Sequence, residues 1–185
     1  MQSKKFFTTR DLCYIAMMAA VIAVCALIAI PLPGGVPFTL QTWAILLAGI
    51  VLGPTKGVIA VLVYILLGLA GVPIFHAGRS GLEMLSGPTG GFIIAFPVLA
   101  LAAGLFRKKK VYILAAAMVA ATIVHLSFGM LWFVIILDSN FAAAFTATVA
   151  PFILPDIFKI IAAIIIGKRI RVALSPASSQ SDLAA

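Results

Sequence analysis

The chain has 185 residues, of which 64% are hydrophobic and only 10% charged, with a net charge of +8. A soluble domain carries about 25% charged residues; with a mean hydropathy of +1.24 this chain cannot cover a water-facing surface, and lipid must be the solvent for most of it. A spanning helix takes roughly 20 apolar residues, so the length allows about six spans and excludes a second, soluble domain.

In chain order, Pro, Gly and charged residues divide the sequence into six apolar blocks. The first covers residues 12–30 and stops at Pro31-Leu32-Pro33-Gly34-Gly35, which cannot continue a helix. It is too long for the apolar core of a signal peptide and reads as a retained span. The second, residues 38–52, ends at Gly53-Pro54-Thr55-Lys56, and the third covers 57–69. A glycine-rich loop follows from residue 71 to 87. The fourth block, 89–106, contains Pro97, where a kink is expected, and closes on Arg107-Lys108-Lys109-Lys110. The fifth runs 111–137. After Asp138-Ser139-Asn140 and an Ala-rich stretch comes the sixth, 151–167, then Lys168-Arg169-Ile170-Arg171. Residues 1–174 therefore read as one transmembrane domain, and the Ser- and Ala-rich residues 175–185 as a disordered tail.

The basic residues fix the expected orientation. Lys4, Lys5 and Arg10, then Lys56, then Arg107 to Lys110, then Lys168, Arg169 and Arg171 fall on alternate loops, and the other three loops contain only Arg79. By the positive-inside rule this predicts six helices with both termini cytoplasmic, whereas five or seven spans would put a basic cluster on each side. The positive charge thus reports membrane orientation, and no nucleic-acid partner is expected. Cys13 and Cys25 share one apolar stretch without CxxC spacing and read as inert packing residues.

The informative residues are the polar ones inside apolar blocks. Asp156 and Lys159 lie in Pro151-Phe152-Ile153-Leu154-Pro155-Asp156-Ile157-Phe158-Lys159. Each charge at bilayer depth costs roughly 2.5–3.5 kcal/mol on insertion scales, and three residues apart on a helix they share a face and compensate each other. Pro155 is expected to loosen the turn before them. Their expected depth, roughly 7–12 Å below the outer end of the helix, suits a site open to the exterior; the other reading is a structural ion pair that locks the sixth helix to its neighbours. Gln41 and Thr42 lie near the outer end of the second block beside Trp43, and an amide in lipid needs a partner. His125 lies mid-way along the fifth block, where a helix–helix hydrogen bond is the simpler role, and His76 lies in the outer loop.

That loop, residues 71–92, is too apolar and glycine-rich for an idle linker and reads as a lid. Its last part, Gly87-Pro88-Thr89-Gly90-Gly91, opens the fourth helix, whose free N–H groups face outward. No GxxxxGK[ST], HExxH or GxSxG sequence is present and no metal-ligand cluster stands out, so no catalytic residue, metal or cofactor is expected.

Val36-Pro37-Phe38-Thr39-Leu40-Gln41-Thr42, Leu47-Ala48-Gly49, Leu52-Gly53-Pro54, Gly87-Pro88-Thr89-Gly90-Gly91 and Pro155-Asp156-xx-Lys159, in that order, resemble the BioY family of biotin-specific substrate-binding (S) components of energy-coupling factor (ECF) importers. The resemblance runs over nearly the whole chain. It implies an all-α bundle of six transmembrane helices in a prokaryotic cell membrane, with a pocket near the outer face covered by the loop between the first two spans and the loop of residues 71–87. It implies biotin as ligand, and as partners a membrane coupling protein (T component) and two ABC ATPases. The substrate-binding residues it implies are Asp156, Lys159, Gln41, Phe92, Gly78, Arg79, Gly90 and Gly91. Ala16 and Ala20 match the small-residue motif by which such components dock to the coupling protein, and small side chains do let helices approach closely. Two departures stand out: Phe92 replaces an aromatic hydroxyl common after the Gly-Gly, and Arg79 stands where a small residue or Asn is usual.

Asp156 is suited to accept from ureido N–H groups, and Lys159 to donate to the ureido carbonyl or the carboxylate of biotin. Without a nucleotide site this chain binds its ligand but does not pump. The rival readings are an S component for another vitamin, a stand-alone permease using Asp156 as a proton relay, and a non-transport scaffold.

Overall fold

A computed structural model describes residues 7–32 and 34–174. Lys4, Lys5 and the expected tail 175–185 lie outside the described residues. Thr8 starts the first helix, α1 (Thr9–Leu27), by a reciprocal cap in which its hydroxyl accepts from the Asp11 N–H while the Asp11 carboxylate accepts from the Thr8 N–H. The helix ends three residues before the expected boundary, because residues 29–30 are extended. There β1 (Ala29–Ile30) pairs antiparallel with β2 (Phe38–Thr39), with Ala29 opposite Thr39 and Ile30 opposite Phe38. This small hairpin closes the loop rich in Pro and Gly before α2 (Gln41–Leu52).

Between α2 and α3 (Pro54–Leu69) a single residue, Gly53, makes the turn at φ +90°, with Pro54 as the first residue of the next helix. A side chain at that φ is strained, and proline at a helix start forfeits no intrahelical bond. The expected four-residue linker is therefore mostly helix, and Lys56 belongs to the first turn of α3. The loop that follows holds a 3₁₀ turn (His76–Gly78) and a one-turn helix, α4 (Glu83–Ser86), before α5 (Gly90–Phe106). After α6 (Val111–Leu137), Asp138 adopts the left-handed conformation at the helix end. The Ala-rich stretch folds as α7 (Phe141–Thr148), capped by the Asn140 side chain. A 3₁₀ turn (Ala150–Phe152) leads into α8 (Ile153–Ala173), which extends past the expected residue 167 and carries its basic residues on its final turns. Pro155 falls in the first turn of α8, where helix N–H groups have no intrahelical acceptor, so it disrupts nothing.

Among the described helical segments, Thr9–Leu27, Val111–Leu137 and the run Phe141–Ala173 are long and apolar enough to cross a membrane, whereas Gln41–Leu52, Pro54–Leu69 and Gly90–Phe106 are apolar but shorter. The short α2 is the axis of the bundle. Nine of its twelve residues are buried, and it packs against α1, α3, α5 and α8. α6 lies against α5, α7 and α8. The long helices keep large aliphatic and aromatic side chains such as Leu131, Ile135, Phe158 and Ile161 on their outer faces, as lipid contact requires.

Basic side chains tie one end of the bundle together. Lys56 pairs with Asp11 at 2.5 Å, Arg107 donates to the Val51 carbonyl at 3.1 Å, and Arg171 donates to the Arg107 carbonyl. The opposite end is organised by the loop after α3. Phe75 is fully buried against Gly68 and meets the Tyr64 ring edge-on at 5.6 Å. The Gly81 N–H donates to the Gly68 carbonyl at 2.8 Å. A methyl group on Gly68 would overlap the Phe75 ring. Gly68→Ala is therefore expected to cost about 1–3 kcal/mol and to speed amide hydrogen exchange across residues 71–82, with exchange in α6 unchanged; uniform acceleration would show that the loop is not separately anchored.

Candidate functional site

The charged pair stands at the start of α8. Asp156 lies in its first turn, where the helix dipole favours an anion, and Lys159 lies one turn further, on the same face. Both are buried, at 6% exposure each. The Lys159 ammonium donates to Asp156 Oδ1 at 3.0 Å and to Thr42 Oγ1 at 3.0 Å, and stands 4.3 Å from the Phe38 ring centroid. Two hydrogen bonds and an aromatic face thus support the ammonium, while among the described residues no side chain or backbone group hydrogen-bonds Asp156 Oδ2.

The pair borders a cavity at the end of the bundle opposite the basic cluster. Its atom-free space is about 560 Å³, mouth included, and the centre of a water molecule can range over about 60 Å³ of it. α2 contributes Gln41 and Thr42, α8 Asp156 and Lys159, α5 Phe92 and Phe96, and α6 His125. Both loops at this end border it: Val36, Pro37 and Thr39 from the hairpin, and Phe75, His76 and Thr89 from the loop after α3. A narrower gap, with about 190 Å³ of atom-free space but no room for the centre of a water molecule, lies between Thr42, Thr122, His125, Asp156 and Lys159 on its polar side and Leu46 and Leu99 on its apolar side. Polar and aromatic groups therefore meet at the site, as in pockets that orient a small ligand. Lys159 also reaches an apolar groove on the far side, between Trp43 and Phe158, so α8 is the wall between the cavity and the outer face.

Four of the residues expected from the sequence, Asp156, Lys159, Gln41 and Phe92, meet at this cavity. Gln41 is also part of a relay: its amide donates to the Tyr64 hydroxyl at 2.8 Å, and that hydroxyl donates to the Ile74 carbonyl at 3.1 Å. A cavity wall and the loop above it are joined through Tyr64, whose hydroxyl within an apolar block was the signal for it. Gly78 and Arg79 are exposed on the loop and do not line the cavity. Gly90 and Gly91 are buried behind it: a Cβ on Gly90 would strike the Leu85 carbonyl, and one on Gly91 the Trp132 side chain. These two glycines let the loop, α5 and α6 close up, and Trp132 adds a hydrogen bond to the Gly87 carbonyl at 3.1 Å. Gly129 does the same for Phe92, whose ring fills the place of the missing Cβ. On α1, Ala16 and Ala20 are exposed while Ile15, Met18, Ala19 and Ile22 face the core.

Two outcomes follow from this geometry. Removing one charge strands the other, which costs about 3–5 kcal/mol for a buried pair. Lys159→Met is therefore expected to lower the melting temperature of the unliganded protein sharply, and Asp156→Asn/Lys159→Met to recover most of the loss; additive losses would mean the two charges are independent. At the mouth, burial and then the Arg79 charge hold the His76 imidazole below its ordinary value of 6.5. The unfolded chain then binds the proton more readily than the folded one, so His76 has no effect on stability well above pH 6.5 and destabilises as pH falls through that value. His76→Asn is expected to shrink the drop in melting temperature between pH 7.5 and 5.5, and an unchanged drop would exclude this contribution.

Residues 1–176 match the BioY family. A probable biotin transporter BioY from Pyrococcus horikoshii is 38% identical, over 88% of this chain and 96% of its own length. The biotin transporter BioY2 of Lactococcus lactis is also 38% identical, over 95% and 96%. Among solved structures, the S component for biotin from an ECF-type ABC transporter superposes with a TM-score of 0.82 at 27% identity, covering 89% of this chain and 94% of the other. The chain is a multi-pass membrane protein and belongs to the BioY family.

Proposed function

We propose that this chain captures biotin at the outer face of the cell membrane and serves as the S component of an ECF-type importer. The observation that carries this reading is the buried pair of Asp156 and Lys159 beside Thr42, bordering a cavity that the Phe92 and Phe96 rings also line. Biotin matches that combination: a cyclic urea at one end, a thioether ring in the middle and a carboxylate on a flexible chain. The free oxygen of Asp156 accepts from a ureido N–H, and Lys159 donates to the ureido carbonyl, both charge-assisted bonds. Phe92 and Phe96 enclose the rings. The carboxylate then points to the mouth, where the positive charge of Arg79 on the covering loop favours an anion. Binding needs no metal or cofactor.

The six apolar helices cross the membrane in this reading, with the short α2, α3 and α5 shielded by the longer ones. The contacts among Asp11, Lys56, Arg107 and Arg171 support placing the starts of α1 and α3 and the ends of α5 and α8 on one side, and the positive-inside rule makes that side cytoplasmic, with both termini. The exposed Ala16 and Ala20 form the small-residue strip on which the T component docks. ATP is hydrolysed by two partner ATPases and not by this chain, so its role is binding rather than catalysis.

Purified detergent-solubilised protein is expected to bind biotin one to one. Asp156→Asn and Lys159→Met should each weaken it by about 100-fold or more, as when one partner of a buried hydrogen-bonded charge is removed. The double variant, stable but unable to bind, separates ligand recognition from folding. A well-folded wild type that ignores biotin, or variants that bind it unchanged, would discard this function.

A further inference from the structure

His125 is a polar side chain of the cavity that neither the charged pair nor the Tyr64 relay engages. It sits mid-way along α6 at 2% exposure, and neither ring nitrogen makes a hydrogen bond to the protein. The Phe92 main chain lies near it, but not in hydrogen-bonding geometry. The ring is held in place by apolar contacts alone, stacked on Phe96 with centroids 5.4 Å apart and 20° between planes, and edge-on to Phe92 at 5.4 Å. Burying an imidazole without a partner costs about 1–3 kcal/mol, and a Phe or Leu would fill this place without that cost. The side chain is oriented by its neighbours and left with its polar edge unused.

The ring borders the ligand space. His125 lines both the main cavity and the narrower gap, together with Thr42, Asp156 and Lys159. The other polar group nearby on the same helix, Thr122, spends its hydroxyl on the Met118 carbonyl. A neutral imidazole offers one N–H and one lone pair. A cyclic urea presents two N–H donors and a carbonyl with two acceptor sites. Asp156 has already committed Oδ1 to Lys159, and the ammonium has committed two of its three hydrogens, to Asp156 and Thr42. One carboxylate oxygen and one ammonium hydrogen do not complete the hydrogen bonds of the urea.

We infer that His125 is a specificity-determining residue that hydrogen-bonds the cyclic urea of the ligand at the inner end of the cavity, supplying the bond that Asp156 and Lys159 leave unmade. This rests on the biotin reading and adds to it a third recognition group on a different helix. α8 reads the urea from one side and α6 from the other, and the Phe92 and Phe96 rings set the distance between them.

The experiment compares wild type, His125→Phe and His125→Asn in detergent, measuring affinity for biotin and for desthiobiotin, which keeps the urea and lacks the sulfur. His125→Phe preserves the stacking and removes the polar edge. It is expected to weaken both ligands by the same factor, about 10- to 100-fold, and to leave the melting temperature of the unliganded protein unchanged or raised. His125→Asn, whose amide restores a donor and an acceptor, should recover part of the affinity. A loss below about 3-fold in His125→Phe would overturn the inference. So would a loss seen with biotin but not with desthiobiotin, which would place His125 against the thioether ring, or a failure of His125→Asn to recover any affinity. Wild-type protein that binds neither ligand would instead overturn the biotin reading itself, an outcome separate from all of these.

Discussion

Asp156 and Lys159 stand 3.0 Å apart inside a bundle whose outer face is aliphatic, and the surrounding architecture answers to the cost of keeping them there. An isolated charge in that interior is disfavoured by several kcal/mol, so each group needs its partner and further polar support. The helix start at Ile153 gives Asp156 a favourable dipole; the neighbouring α2 brings Thr42; the hairpin brings the Phe38 ring over the ammonium. Residues 38–42 and 156–159, distant in sequence, are thereby held to one point. The arrangement also leaves capacity unused on both groups, which is what distinguishes a binding site from a structural lock. A pair that served only to join α8 to its neighbours would gain from using every lone pair and every hydrogen.

Close packing does the rest. Missing side chains, rather than large ones, decide where helices meet around the cavity. Gly129 admits the Phe92 ring, Gly91 admits Trp132, Gly90 admits the Leu85 carbonyl and Gly68 admits Phe75. In lipid there is little hydrophobic gain from pressing one apolar helix against another, so van der Waals contact at short range must hold the bundle. Small residues make that contact possible, and they let aromatic rings turn inward to line a cavity instead of outward to fill gaps. The glycine-rich segment before α5 is accordingly a packing device, which supports the cavity from behind while Thr89, between its glycines, reaches the lining.

The sequence exposes some of this directly. Six apolar blocks separated by Pro, Gly and basic residues are visible without a structure, because long-range packing hardly alters where a helix can exist in lipid. So is the importance of Asp156 and Lys159, since charges in an apolar block are costly wherever they face. What escapes the sequence depends on contacts between helices. Gln41 reads as a ligand group, yet its amide is occupied by Tyr64, and the significance of Tyr64 appears only when Ile74 is seen beside it. Gly78 and Arg79 lie on the exposed side of the loop, a matter of one local turn that periodicity cannot resolve. The short hairpin between α1 and α2 and the helix α7 fall where composition is ambiguous: two-residue strands carry no pattern, and an Ala-rich stretch after Asn140 differs from a loop only through its cap.

The relay from Gln41 through Tyr64 to Ile74 bears on how the two halves of the site behave. Gln41 belongs to α2, the most buried helix, and Ile74 to the loop after α3, which meets the bundle through Phe75 against Gly68 and through Met84 in the core. The first half of the loop is thus fixed at two places, one apolar and one polar, both on the side of α3. Its second half leaves Leu82 exposed but is also held, by Met84 buried in the core and by the bond from Trp132 to the Gly87 carbonyl. A covering held at a few separate points can open without melting the helices beneath it, since the free energy of local opening follows how many contacts must break. The cavity as it stands offers the centre of a water molecule only about 60 Å³, so a ligand the size of a fused bicycle with a side chain must displace part of this covering to enter. The charged pair, by contrast, lies on α8 and is bonded to Thr42 of α2, and such a movement leaves both helices in place. Recognition is built on the helices and access on the loop that covers them, and the hydrogen-bonded Tyr64 is where the two meet.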